Sequence, residues 1–313
     1  MGIEAAARSR RSAYLALLGV QISFGLFPVF GKLAFKPGGF SPFAVGAWRM
    51  GFGAAVLCAI AWAIHGRAFV EARRDIKKLL VASVLGVTAN MLLYLEGLAR
   101  SSAIEATLVM CLIPVFTFGI AAAVGQERLR AGRAGGILVA LVGASALFWA
   151  QDREIARAHW VGNLLMAANA LSYAAYFVWS RPLLKRHPPL VVIAWVFLLS
   201  VPAAVWIAAS HEVWPRAASA EAWWSLAFVL VFPTALAYLL NMFALARVPA
   251  STTAVFIYAQ PILTVLASVL LLDEPPTRGV LIAGALVFVG IWMVARQNRL
   301  VQQKGPDGST ARP

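Results

Sequence analysis

The sequence predicts an all-α membrane protein of ten transmembrane helices arranged as two inverted five-helix repeats. Three observations carry that expectation: a composition too apolar for a water-facing surface, ten apolar windows of membrane-spanning length, and an internal repeat at a fixed offset. Hydrophobic residues make up 61% of the 313 positions and charged residues 13%, with a mean hydropathy of +0.78. A soluble domain carries roughly 25% charged residues, so about half the usual surface charge is missing. Disorder requires low hydrophobicity and is excluded on the same grounds. An outer surface facing hydrocarbon is what remains.

A bilayer core about 30 Å thick needs about 20 apolar residues per helix. Windows of that length predict spans at Tyr14–Phe35, Ser41–Ile64, Lys78–Ala99, Ala103–Val124 and Gly132–Ala150 in the first half. The second half gives His159–Ser180, Leu190–Ala209, Trp223–Leu245, Ala250–Leu272 and Arg278–Ala295. The first window is longer than a signal-peptide core and no small-residue cleavage site follows it, so it is expected to stay as a helix. Residues 297–313 are polar with Gly and Pro and are expected to form a disordered cytoplasmic tail.

The net charge of +14 is explained by where it sits. Counted on alternate sides of the spans, 19 of the 27 Lys and Arg residues fall on one side and 7 on the other, with Arg49 inside the second span. That asymmetry is the positive-inside signal, and it predicts a multi-pass protein of the cell (inner) membrane with both termini cytoplasmic. No nucleic-acid partner is expected, because there is no long basic run and no nucleic-acid-binding module. Seven tryptophans (Trp62, Trp149, Trp160, Trp179, Trp214, Trp223 and Trp292) fall near span ends, where an indole prefers to lie. Cys58 and Cys111 sit inside apolar stretches and read as inert buried thiols.

"LARSSA" at Leu98–Ala103 answers "LARVPA" at Leu245–Ala250, an offset of 147 that then holds without a gap. Pro114 falls on Pro261, Glu127 on Glu274, Gly132 on Gly279 and Gly143 on Gly290. Upstream, Trp48 falls on Trp195 and Gly86 on Pro233; at a shift of 149, Ser23 matches Ser172 and Lys32 matches Arg181. The expected domains are therefore a first repeat at 14–150 and a second at 159–296. An odd number of spans per half makes the second copy enter from the opposite face. Inverted repeats that exchange conformations are the architecture of alternating-access transporters.

The pattern Pro114…Glu127-Arg128-Leu129…Gly132, repeated as Pro261…Glu274…Gly279, resembles the EamA-type drug/metabolite transporter superfamily. The resemblance covers both halves and implies a ten-helix bundle in the cytoplasmic membrane, a central cavity between the halves, and efflux of amino acids or other small metabolites. Two features depart from the pattern. Pro275-Pro276 replaces the Arg-Leu of the first copy, and Glu105 has Thr252 as its repeat partner.

Polar groups inside a bilayer face a cavity or a partner helix. Gln21, Asn90, Tyr94, Asn169, Tyr173, Tyr176, Tyr238, Asn241, Tyr258 and Gln260 lie on or beside stripes at helical spacing, on matching helices of both halves. One reading makes them glue between helices. The other, which their recurrence in both halves favours, makes them the lining of an uncharged, aromatic-rich substrate cavity. Aromatic faces also suit cations, so efflux of cationic drugs, or flipping of a lipid-linked substrate by the same fold, stands as the alternative. Arg49 has two open readings, a ligand for a substrate carboxylate or an ion pair with Glu96 or Glu105. Glu96 and Glu105 bracket the turn between the third and fourth spans, either as solvated charges or as proton carriers. Lys32 is expected to snorkel to the surface, and Glu127 and Glu274 to fix helix ends. Pro114 and Pro261, placed mid-span, are candidate hinges or sites of static curvature.

An enzyme is not expected. The four histidines are widely separated at span ends, and no HExxH, no intramembrane aspartate pair and no nucleophile–base spacing occurs. No cofactor or metal is expected, and the absence of a P-loop leaves gradients as the driving force. The expected partners are a small-molecule substrate and the lipid bilayer.

Overall fold

The computed structural model describes residues 3–125, 135, 138–139, 142–143, 153–245, 259–286, 288–289 and 292. The described residues are helical with connecting turns. Most of the predicted fifth span, the start of the ninth, the end of the tenth, Glu127 and the 297–313 tail lie outside them, so the count of ten helices does too.

The first span is one helix, α1 (Ile3–Ala34), which runs through Pro28 without a break. Ser41 then starts α2 (Pro42–Glu71) by accepting a hydrogen bond from the Ala44 amide at 3.1 Å, with Pro42 in the first turn where its missing N–H costs nothing. Helical structure continues to Ala99, 58 residues in all, or about 87 Å at 1.5 Å per residue. That is nearly three bilayer cores, so the run folds back on itself. It kinks at Gly66, whose φ of 35° is left-handed and tolerated because glycine has no Cβ. It then turns through the 3₁₀ segment Ala72–Asp75 into α3 (Ile76–Ser83) and α4 (Ala89–Ala99). The predicted second and third spans are these two limbs.

The fourth span is in two pieces, α5 (Ala103–Met110) and α6 (Ile113–Ala123). Pro114 is in the first turn of α6, after an interruption at Cys111–Leu112, and not in the middle of a continuous helix. Pro261 likewise lies in the first turn of the ninth-span helix Gln260–Leu271. A first-turn proline removes an N–H that has no intrahelical acceptor, so neither proline kinks the helix it begins, and Pro114 follows a joint with α5. The second repeat supplies α7 (Arg153–Leu184), α8 (Pro189–Leu198), α9 (Val201–Ser210), α10 (Ala220–Val229), α11 (Ala237–Leu245) and, for the ninth span, α12 (Gln260–Leu271).

Two short π-helical segments break the regular ladder, Val84–Thr88 in the third span and Leu230–Leu236 in the eighth. They coincide under the 147-residue offset, with Gly86 in one and Pro233 in the other. The repeat thus extends to a local distortion of the backbone.

Ion pairs fix the relative direction of the halves. Lys36, after the end of α1, meets Glu221 at the start of α10 at 2.9 Å, beside the start of α2. Arg186 and His187, after the end of α7, meet Asp75 beyond the far end of α2 at 3.3 and 3.0 Å. The first helices of the two halves therefore end at opposite ends of the bundle. Tryptophan contacts repeat this reciprocity. Trp48 donates its indole N–H to the Val213 carbonyl in the second half at 2.8 Å, and its repeat partner Trp195 donates to the Phe69 carbonyl in the first at 2.7 Å.

Asp75 sits in the turn between α2 and α3, where the hydrogen bond from His187 and then Lys78 and Arg186 hold its carboxyl below the usual carboxylate range. A depressed carboxyl contributes stability above its unfolded pKa of about 3.9 and loses it as pH falls through the folded value. Wild-type protein in detergent is therefore expected to lose melting temperature below about pH 4, and Asp75→Asn to melt lower at pH 7 but fall less on acidification. Parallel pH–melting curves for the two proteins would count against this pairing.

Candidate functional site

Arg49 lies about a quarter of the way along α2 and is 5% exposed. A buried guanidinium needs hydrogen-bond acceptors and a polarisable neighbour, because the bare desolvation cost is several kcal/mol. The fold provides both from a distance in sequence. Its Nε donates to Thr234 Oγ1 at 2.9 Å, and its Cζ lies 4.3 Å from the centroid of the Phe27 ring. Thr234 is available because of the residue before it. Pro233 has no N–H, so a normal helix would leave the Val229 carbonyl, four residues earlier, without its donor. The Thr234 hydroxyl donates to that carbonyl at 2.8 Å and turns its oxygen lone pair toward Arg49. The π segment of the eighth span thus sets the acceptor for the buried cation.

Aromatic rings enclose the same place. Tyr94 stacks on Phe27 with centroids 4.8 Å apart, and Tyr238 meets Phe197 edge-on at 5.7 Å. Tyr173 stacks with Tyr176 at 5.6 Å. Tyr94, Tyr173 and Tyr238 all lie within electrostatic reach of Arg49. Six spans contribute: the first, second and third from one repeat, the sixth, seventh and eighth from the other. Phe27 and Tyr176 are themselves equivalent under the 149-residue shift. Gly86 makes room for the Tyr176 ring, since a Cβ there would fall 2.5 Å from it.

The remaining amides do something different. Gln260 donates to Gln21 at 2.7 Å, tying the ninth span to the first, beside the Thr264 hydroxyl that donates to the Gly25 carbonyl at 2.6 Å. Asn169 donates to the Asn90 carbonyl at 2.6 Å, and Ser172 to the Leu85 carbonyl at 2.8 Å, so the sixth span braces the third around its π segment. These groups hold helices of the two halves together. The side chain of Asn241 and all of Tyr258 lie outside the described residues.

Arg49 pairs with neither Glu96 nor Glu105. Glu96 takes Arg100, one turn along its own helix. Glu105 is 2% exposed, not solvated, and is held by Ser101, Asn163 and His159 Nδ1, the last at 2.9 Å. Lys32 does not snorkel free but binds Glu274 at 2.8 Å. The other oxygen of Glu274 accepts from the Ala103 amide, 3.4 Å away, at the start of α5. A carboxylate at a helix N-terminus is favourable in itself, so Glu274 fixes a helix end while pairing with a cation.

Sequence reasoning did not single out Phe27 or Phe197. They are ordinary apolar residues in apolar helices, and only their contacts with Arg49 and Tyr238 distinguish them.

The family model for EamA-like transporters matches this chain twice, over residues 11–149 and 160–296. The chain belongs to the EamA-like transporter family. It is a multi-pass membrane protein with the two-repeat architecture of that family. Among relatives of this EamA-like transporter, an uncharacterized transporter, YyaM, of Bacillus subtilis (strain 168) is 24% identical over 89% of this chain and 92% of its own. A probable terminal-alkyne amino-acid exporter of Streptantibioticus cattleyicolor is 27% identical over 72% of this chain and 74% of its own. A solved crystal structure superimposes with a TM-score of 0.65 at 23% identity, covering 93% of this chain and 99% of the other, and shares the fold.

Replacing Thr234 with Val removes the acceptor of Arg49 Nε and leaves that N–H without a partner among the described residues. Each unsatisfied buried group costs about 1–3 kcal/mol. Thr234→Val is expected to melt several degrees below wild type in detergent, while Thr234→Ser, which keeps the hydroxyl, stays close to it. Equal melting of the two variants would remove Thr234 from this chain of bonds.

Proposed function

We propose that this EamA-like transporter exports amino acids or related small metabolites across the cell membrane by alternating access, driven by a gradient, with both termini in the cytoplasm. The observation that carries the reading is the convergence of three spans from each inverted repeat on one guanidinium–tyrosine cluster. A site built jointly by two oppositely directed halves opens to one face or the other as the halves rock about it. Its chemistry is that of a small polar solute with an apolar part: hydroxyl groups, ring faces and a single cation. The exporter named for an alkyne amino acid among the relatives supports the same substrate class. The helix joints before Pro114 and Pro202, and the start of the helix that carries Pro261, are where we place the bending that opens the gates. Cationic drugs fit less well, because a buried Arg49 repels a cation strongly in low dielectric.

The reading is tested by efflux of a labelled neutral amino-acid panel from proteoliposomes, with and without a pH gradient. Tyr173→Ala and Asn241→Ala are expected to lower efflux at least tenfold with membrane insertion at wild-type levels. Wild-type rates from both variants would take the site away from the cluster.

A further inference from the structure

We propose that Arg49 is the anchor for a carboxylate on the substrate, so that this carrier selects small acids with an apolar side chain and rejects their amides. The inference rests on the small-metabolite carrier reading above and names the substrate class of that same site. Its starting point is an imbalance. Arg49 has five N–H donors, and the Nε–H alone finds a hydrogen-bond acceptor among the described residues, Thr234 Oγ1 at 2.9 Å. The two terminal nitrogens, with four donors in a planar fork, have none there, and no carboxylate of the described residues lies within ion-pair distance of them. The two acids that the sequence offered as partners are engaged elsewhere, Glu96 with Arg100 and Glu105 with His159. A guanidinium that is 95% buried is not left without a counter-charge for packing alone, since an apolar residue would fill the space at lower cost. The remaining fork is matched in shape and charge by a carboxylate, which it binds through two parallel hydrogen bonds.

The surroundings narrow the class. Phe27 covers one face of the guanidinium at 4.3 Å and Tyr94 stacks behind it, so the ligand approaches from the edge, toward Tyr238 and Phe197. Those rings favour an apolar or aromatic side chain on the acid. A phosphate monoester brings nearly two charges and would call for a second cation, yet Lys32 and Lys36 are paired at the end of the bundle with Glu274 and Glu221. No described carboxylate is placed to receive an ammonium in the cluster, so the α-amino group is dispensable. A 2-hydroxy acid with the same side chain is therefore also a substrate.

The test uses the full-length protein in proteoliposomes, with counterflow of labelled L-phenylalanine against L-phenylalanine, L-phenyllactate or L-phenylalaninamide. Expected is counterflow driven by the amino acid and the hydroxy acid, with the amide at least tenfold weaker. Arg49→Gln is expected to lower the acids at least tenfold and erase the difference from the amide, with Arg49→Lys between. Should Arg49→Gln fail to insert, the acid-to-amide ratio of the wild-type protein carries the test by itself. Equal counterflow by acid and amide overturns the carboxylate anchor and leaves the carrier reading standing. Counterflow by none of the three overturns both.

Discussion

A guanidinium held inside an apolar bundle is the constraint on which the site depends. Arg49 must find acceptors where hydrocarbon offers none, and the chain supplies one by damaging a helix. Pro233 deletes a backbone donor, the helix widens into a π segment, and the Thr234 hydroxyl donates to the Val229 carbonyl while presenting its oxygen to Arg49. Phe27 covers the flat face of the cation and in turn seats Tyr94. Arg49, Phe27, Tyr94 and Thr234 come from four different spans. The buried charge therefore ties the first, second, third and eighth spans to a common point, and the tyrosines extend that point to the sixth.

Around this centre the halves hold one another reciprocally. Trp48 binds the Val213 carbonyl between α9 and α10 and Trp195 the Phe69 carbonyl near the end of α2, and the ion pairs Lys36–Glu221 and Arg186–Asp75 join the halves at opposite ends of the bundle. Lys36, Glu221 and Arg186 are substantially exposed, and ion pairs of exposed side chains are worth only about 0–1 kcal/mol. Links of that strength set the alignment of the halves without locking it. The heavier contacts lie deeper, where glycines let helices approach: Gly97 and Gly162 face one another so closely that a Cβ on Gly162 would meet the Arg100 carbonyl oxygen at 2.5 Å. A bundle with close glycine contacts between the third and sixth spans and weak ties at its ends suits rocking of one repeat against the other.

Much of this was legible in the sequence. Composition alone required a hydrocarbon-facing surface, apolar windows placed the first to fourth and the sixth to eighth spans, and the 147-residue offset paired Trp48 with Trp195 before their matching contacts were known. The tyrosines of the cluster also stood out, because a polar ring in a lipid-facing helix is uncommon. What escaped the sequence had physical causes. A π segment changes the angular period locally, so stripes drawn at 3.6 residues per turn lose register beyond Gly86 and Pro233. Partners distant in the chain, such as Lys32 with Glu274 or Arg49 with Thr234, follow from how spans pack and not from any local pattern. Glu105 stood at a turn, as a solvated charge or a proton carrier, yet it is buried against the sixth span because Asn163 and His159 complete its hydrogen bonds. Gln21 and Asn169 share the chemistry of cavity-lining amides but spend it on neighbouring helices.

The account turns on one claim, that the cluster between the repeats is reached from each face of the membrane in turn. The direct measurement places a single thiol there, Tyr238→Cys in a background with Cys58 and Cys111 replaced by alanine, in vesicles of known orientation. A membrane-impermeant thiol reagent is then applied from either side. The account predicts modification from both sides in separate conformations, slowed by a transported amino acid, with no continuous aqueous path. Modification from one side only under every condition, or a steady ion leak through an open path, would contradict it.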